Sequence, residues 1–184
     1  MFGVSVDADT RLELLEEHHA EELFALVERN RPHLRRWLPW LDHNTRVEHT
    51  RVFIRACLQH FAARNGFTCG LRHRGVIAGV LGLHQIDWIN RRTSLGYWLD
   101  EAQQGRGLVT RACAAVCDHV FGELELNLLE IGCAVGNQRS CAIPERLGFT
   151  REAVLRQREW LYDHYVDHVI YSMLAADWRS RPGR

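Results

Sequence analysis

Gly105 and Gly107 stand between a run of strand-forming residues and a run with helical spacing, and there the backbone itself could do chemistry. From Gly96 to Leu108 the chain reads Gly-Tyr-Trp-Leu-Asp-Glu-Ala-Gln-Gln-Gly-Arg-Gly-Leu: a strand, a glycine loop and the opening of a helix. Successive N–H groups in such a loop can cradle a phosphate. The helix dipole favours the negative charge, and glycine admits the ligand without a Cβ in its way. Arg106 adds a positive charge. The plainer alternative is a tight strand-to-helix turn with no ligand. Two rival phosphate motifs fail: there is no Gly-x-x-x-x-Gly-Lys-Ser/Thr, and a dinucleotide fingerprint needs a third glycine where this chain has Thr110.

Other reactive residue types are dispersed. Cys57, Cys69, Cys113, Cys117, Cys133 and Cys141 contain no Cys-x-x-Cys pair and fall in apolar stretches, so they read as small buried thiols. The metal-like spacings, Cys113 with Cys117 and His164 with His168, lack a third ligand nearby, and no metal site is expected.

The elements that must position the loop follow from periodicity. Arg11 to Leu15 reads as a strand and His18 to Asn30 as a helix; Arg31 to Asn44, interrupted by Pro32 and Pro39, reads as a short helix and loop. Thr45, with Glu48 three residues on, has capping-box spacing and predicts a second helix to Arg64. Phe67 to Arg72 and Val76 to His84 suit a hairpin, and Arg92 to Asp100 the next strand. Gly107 to Phe121 has helical spacing, Leu128 to Val135 is strand-like, Ser140 to Leu147 is a helix despite Pro144, and Thr150 to Leu161 and His164 to Leu174 are strands. The order predicts one α/β domain over 1–184 with a mixed sheet rather than regular βαβ alternation.

The totals exclude several classes. Lys plus Arg and Asp plus Glu are each 23, so no polyanion partner is indicated; 46% hydrophobic and 25% charged residues fit an ordinary globular chain. No leader pattern or run of roughly 20 apolar residues appears, and a cytoplasmic protein with no membrane or nucleic-acid partner is expected.

The glycine loop resembles the acetyl-CoA pyrophosphate loop of the GNAT acetyltransferases, Gln/Arg-x-x-Gly-x-Gly/Ala. Gly105 and Gly107 match; the first position falls on Ala102, with Gln103 and Gln104 beside it. Asn137-Gln138-Arg139-Ser140 and Glu145-Arg146-Leu147-Gly148-Phe149 are similar to the Asn-x-x-Ser and Gly-Phe patterns of the ribosomal-protein serine acetyltransferase branch, and the likeness runs from about Arg11 to Leu174. The resemblance implies the GNAT fold, a mixed, mostly antiparallel twisted sheet flanked by helices, and acetyl transfer to an amine. It implies cofactor contacts at Trp98, Leu99, Gln104, Gly105, Arg106, Gly107, Leu108, Val109 and Asn137, with an N–H near Trp98 or Leu99 polarising the thioester carbonyl. It also implies Ser140 as acid toward the leaving thiolate, in place of the tyrosine many relatives carry where this chain has Pro144, and Glu159 as base through water. Trp37 and Trp40 would lie beside the acceptor, and a homodimer is common among such proteins.

Each role has a plainer counterpart: Ser140 as helix N-cap, Glu159 paired with Arg156 or Arg158, the tryptophans as core, and Arg31, Arg35 and Arg36 as a solvated face instead of a binding site for an acidic tail. An α-amine, with pKa about 7.7 to 8.0, suits a single carboxylate working through water better than a lysine near 10.4, which favours a protein N-terminus as acceptor. A small amine (polyamine, amino acid or aminoglycoside) and a non-catalytic acyl-CoA-binding module are the alternatives; a dinucleotide-binding domain fails because the chain after Gly107 lacks repeated βαβ units.

Overall fold

The computed structural model describes residues 3–181; Met1, Phe2 and residues 182–184, the ends of the expected domain, lie outside it. Eight strands form one sheet: β1 (Gly3–Asp7), β2 (Thr10–Leu14), β3 (Phe67–His73), β4 (Val76–Leu83), β5 (Arg92–Leu99), β6 (Leu128–Ala134), β7 (Thr150–Leu161) and β8 (His164–Leu174). Their order is β1-β2-β3-β4-β5-β6-β8-β7, every pairing antiparallel except β5 with β6. This is the expected mixed, mostly antiparallel α/β architecture. Among the described residues no helix is long and apolar enough to cross a membrane.

The helices cover the two faces because each carries an apolar stripe. On one face lie α1 (Ala20–Arg35) and α2 (Val47–Ala62), whose Ala20, Leu23, Leu26 and Ile54 pack with Ile77 and Val80 of β4. On the other, α3 (Leu108–Gly122) buries Leu108, Val109, Ala112, Cys113, Val116, Cys117 and Val120 against the sheet, joined by α4 (Gln138–Arg146) and α5 (Ala175–Arg179).

Three local expectations need correction. The helix expected to end at Asn30 continues through Pro32 to Arg35, because Asn30 and Leu34, both buried, anchor it on either side of the exposed proline. Thr45 is not an N-cap: α2 begins after Arg46 without a side-chain cap, and the Thr45 N–H instead donates to the His49 ring at 3.2 Å. Strand β1 and helix α5 had too few periodic positions to be recognised; β1 pairs with β2, and α5 is fixed by buried Ala175 and Trp178.

Gly79 sits where β4 meets the end of β5, opposite Leu99. A Cβ there would lie 2.3 Å from the Trp98 carbonyl oxygen and 3.0 Å from the Leu99 Cα, both backbone atoms that can yield only if the strands part. Gly79→Ala is expected to lower stability by about 1–3 kcal/mol in thermal or urea melts. Gly70→Ala, whose nearest neighbour is the end of the Leu15 side chain at 3.2 Å, should cost much less.

Candidate active site

The sheet opens where the sequence placed its chemistry. Strands β5 and β6 pair only at Arg92, Thr93 and Ser94 with Leu128, Leu129 and Glu130, although β5 continues to Leu99 and β6 to Ala134. A gap therefore runs between Leu95–Leu99 and Ile131–Ala134. The amides facing it follow from the register. His84 donates to the Ser94 carbonyl at 2.8 Å and Asp100 to the Ala78 carbonyl at 2.8 Å, so Ser94, Gly96, Trp98 and Asp100 point their backbone groups at β4. The N–H groups of Tyr97 and Leu99 turn the other way, into the gap. Of the two amides suggested by sequence, Leu99 faces the opening and Trp98 faces its neighbouring strand.

Beyond Leu99 the chain passes through a 3₁₀ turn at Glu101–Gln103 to the glycine loop. Helix α1 fixes that turn: the buried Asn30 accepts from the Glu101 N–H at 2.9 Å, and Arg29 pairs with Asp100 at 3.4 Å. Gly105 and Gly107 have φ of +77° and +69°, in the left-handed region that favours glycine. Gly107 is the N-cap of α3 and offers no side chain, and the first helical bond is from Arg111 to the Gly107 carbonyl at 3.1 Å. Among the described residues the N–H groups of Leu108, Val109 and Thr110 therefore have no acceptor, and they emerge beside the exposed Arg106. The Gln104 side chain does not face them. Its amide bonds His33 of α1 at 2.9 Å and also Arg139 of α4, bridging the two sides of the opening. Gln103 Oε1 is buried without a partner among the described residues.

Ser140 lies on the α3 side of the gap. Asn137, not Ser140, caps α4, its carboxamide oxygen accepting from the Ser140 N–H at 3.2 Å. The Ser140 hydroxyl is thereby released to approach the Cys133 thiol at 3.2 Å and the Tyr97 hydroxyl at 3.4 Å, and Tyr97 donates to the Ser140 carbonyl at 3.1 Å. Burial pushes the Tyr97 phenol well above its ordinary range, and it pushes the Cys133 thiol up to about 11 against the lowering effect of the Ser140 hydroxyl.

Glu159 lies on the opposite face. Residues paired across strands share a face, so His168, the partner of Ala134, lies away from Cys133; Glu159 pairs with Val166, two residues from His168, and joins it there. Glu159 Oε2 is 3.3 Å from His168 Nε2 and makes no ion pair with Arg156 or Arg158. Trp98, on this same side, packs 6.5 Å from Trp40, and Trp37 lies over Gly136 in the β6–α4 loop. The turn between β7 and β8 reaches the same segment, Tyr162 donating to the Leu38 carbonyl at 2.6 Å. The arginines considered for an acidic tail are largely committed within the chain: Arg31 to Glu28 and the Leu41 carbonyl, and Arg35 to Asp42.

Ser140 and Glu159 thus lie on opposite faces of the sheet, Ser140 at the gap and Glu159 two strands away from it on β7. The acetyltransferase (GNAT) domain family matches residues 9–150. The chain belongs to the GNAT acetyltransferase family. It is 35% identical to YdaF of Bacillus subtilis (strain 168) over 98% of this chain and 99% of that one. It is 28% identical to the ribosomal-protein-serine acetyltransferase of Escherichia coli (strain K12) over 93% and 96%. Among solved structures, RimL, a ribosomal L7/L12 α-N-protein acetyltransferase in complex with coenzyme A held by a disulfide to one of its own cysteines, superposes with a TM-score of 0.92 at 28% identity, covering 96% of this chain and 99% of that one.

For a GNAT acetyltransferase, the sequence reading overlooked Tyr97, Cys133 and His168. Tyr97 and Cys133 were visible only as strand residues, and His168 only as half of a poor metal pair. All six cysteines are free and buried, and among the described residues no group of three or more His, Cys, Asp or Glu could hold a metal. With its thiol raised to about 11, Cys133 is neutral at neutral pH, and its thiolate appears only as pH climbs toward that value. At pH about 7.5, iodoacetamide is expected to modify it at least about 100-fold more slowly than a free cysteine of pKa about 8.5, the rate rising with pH; peptide mass spectrometry reads this directly.

Proposed function

We propose that this acetyltransferase uses acetyl-CoA to acetylate the N-terminal α-amine of a protein, with ribosomal proteins as the acceptor class, and that it acts in the cytoplasm where they are made. The observation that carries this reading is the gap itself, with a hydroxyl on one face, a carboxylate on the other and the Leu99 N–H directed into it.

The residues fit the cofactor. The unpartnered N–H groups of Leu108 and Val109, with Gly105, Arg106 and Gly107, suit a pyrophosphate, and Asn137 keeps its carboxamide nitrogen free of hydrogen bonds among the described residues while its oxygen caps α4. Gln104 acts by tying α1 to α4 instead of through a free side chain. Acetyl-CoA supplies the activated acyl group. The Leu99 N–H stabilises charge developing on the carbonyl oxygen. Glu159, as base through an intervening water or side chain, draws a proton from the acceptor ammonium, the neutral amine attacks, and Ser140 gives a proton to the departing sulfur. A sulfur held beside Cys133, itself 3.2 Å from the Ser140 hydroxyl, is within reach of that proton.

Trp37, Trp40 and Trp98 border the acceptor side, beside the contact of the α1–α2 connection with the β7–β8 turn. An acceptor panel tests the reading: peptides beginning with Ser or Ala, against spermidine, free amino acids and aminoglycosides, with coenzyme A release as the signal. Peptide-dependent release is expected. Release with small amines alone would replace the acceptor class, and acetyl-CoA binding without release on any amine would make this a binding module.

A further inference from the structure

Across the acceptor face, Glu159 belongs to edge strand β7, His168 to β8, and Gly132 and Ala134 to β6, which borders the gap. The imidazole therefore stands between the carboxylate and the opening. A carboxylate only accepts, so His168 Nε2–H donates to Glu159 Oε2 over 3.3 Å, leaving the Nδ1 lone pair free. Nδ1 is directed at β6, where a Cβ on the exposed Gly132 would come within 3.6 Å of it. The absence of a side chain there leaves room at Nδ1 for a water or an amine, and only 18% of the His168 side chain is exposed.

We propose that His168 is the proton relay of the acceptor site, with Glu159 behind it as the orienting carboxylate. The inference rests on the proposed acetyl transfer at this gap. The acceptor ammonium gives one proton, directly or through water, to His168 Nδ1, and Glu159 balances the imidazolium. The freed nitrogen lone pair forms the C–N bond, the C–S bond breaks and its electrons leave with sulfur. Ser140 protonates the sulfur to the thiol and is reprotonated by the second proton lost from nitrogen, and the proton on His168 returns to solvent. The charged groups on the ring's face are Glu159 from β7 and, further along β6, Glu130; Arg156 and Arg158 of the β7 bulge line a hollow with Asp167, which lies on the other face of β8 and accepts from the Gln157 N–H at 2.7 Å.

The test uses the whole protein with acetyl-CoA and a Ser-initial peptide, comparing wild type, His168→Gln, Glu159→Gln and the double variant. A relay must be neutral to accept, so wild-type kcat is expected to fall toward acid pH. His168→Gln is expected to lose about 100-fold in kcat with unchanged acetyl-CoA affinity and melting temperature, and its acid limb is displaced from that of the wild type. Because the pair acts as a unit, the double variant should be no slower than the slower single one. A His168→Gln enzyme with wild-type kcat, or with reduced kcat and an unmoved acid limb, overturns the relay while leaving the acetyltransferase reading intact. A wild-type protein that turns over no amine removes that reading and the relay with it.

Discussion

Glu159→Gln is expected to lower kcat about 1000-fold while acetyl-CoA binds as tightly as to the wild type. The substitution keeps the shape of the side chain and an oxygen that can still accept from His168, and removes only the negative charge and the basicity. The side chain is 31% exposed and pairs with no arginine, so its loss should move stability by less than about 0.5 kcal/mol. Glu159 also lies on the sheet face opposite the glycine loop's helix, which separates its effect from cofactor affinity. Steady-state release of coenzyme A thiol, with a fluorescence titration of acetyl-CoA, measures both quantities. Unchanged kcat would remove Glu159 from the proton path.

Gly107→Asp is expected to weaken acetyl-CoA binding about 100-fold, or about 2.7 kcal/mol. At φ +69° an L-residue is strained, and a carboxylate there would sit at the head of the three free N–H groups of α3, where the phosphates need positive potential. Gly107→Asn separates the two effects. Asn tolerates the left-handed conformation at least as well as Asp and carries no charge, and the nearest atom to a Cβ is the mobile end of Arg111 at 3.0 Å. It should lose less than about tenfold. The excess loss in the Asp variant should shrink as salt is raised, because repulsion at this exposed loop is screened. Equal affinities in the two variants would mean that charge at this position does not matter to the cofactor.

The glycine loop, β5 and α3 were legible because glycine spacing and apolar periodicity are local properties of the chain. The gap was not. Which amides face it depends on how β5 is phased against β4, set by the Asp100–Ala78 and His84–Ser94 bonds between residues distant in sequence, and this turned Leu99 rather than Trp98 to the opening. Ser140 could be read as a cap because serine caps helices well, but the helix starts two residues earlier and Asn137 takes that role. The Glu159–His168 contact spans a hairpin whose register shifts between Leu155 and Glu159, with Gln157 at φ +51°, and no alternation rule predicts a pairing across such a bulge. Pro32 illustrates the opposite failure. A sound local rule against proline inside a helix yielded to buried anchors on both sides.

The most direct test of the account is the position of the transferred acetyl group. A peptide beginning with Ser and carrying an internal Lys is incubated with the enzyme and acetyl-CoA, and the product is fragmented in a mass spectrometer. Acetyl on the α-amine and none on the lysine is the predicted result. Acetyl on the lysine, or none on a peptide while a small amine in the same mixture is modified, would contradict it.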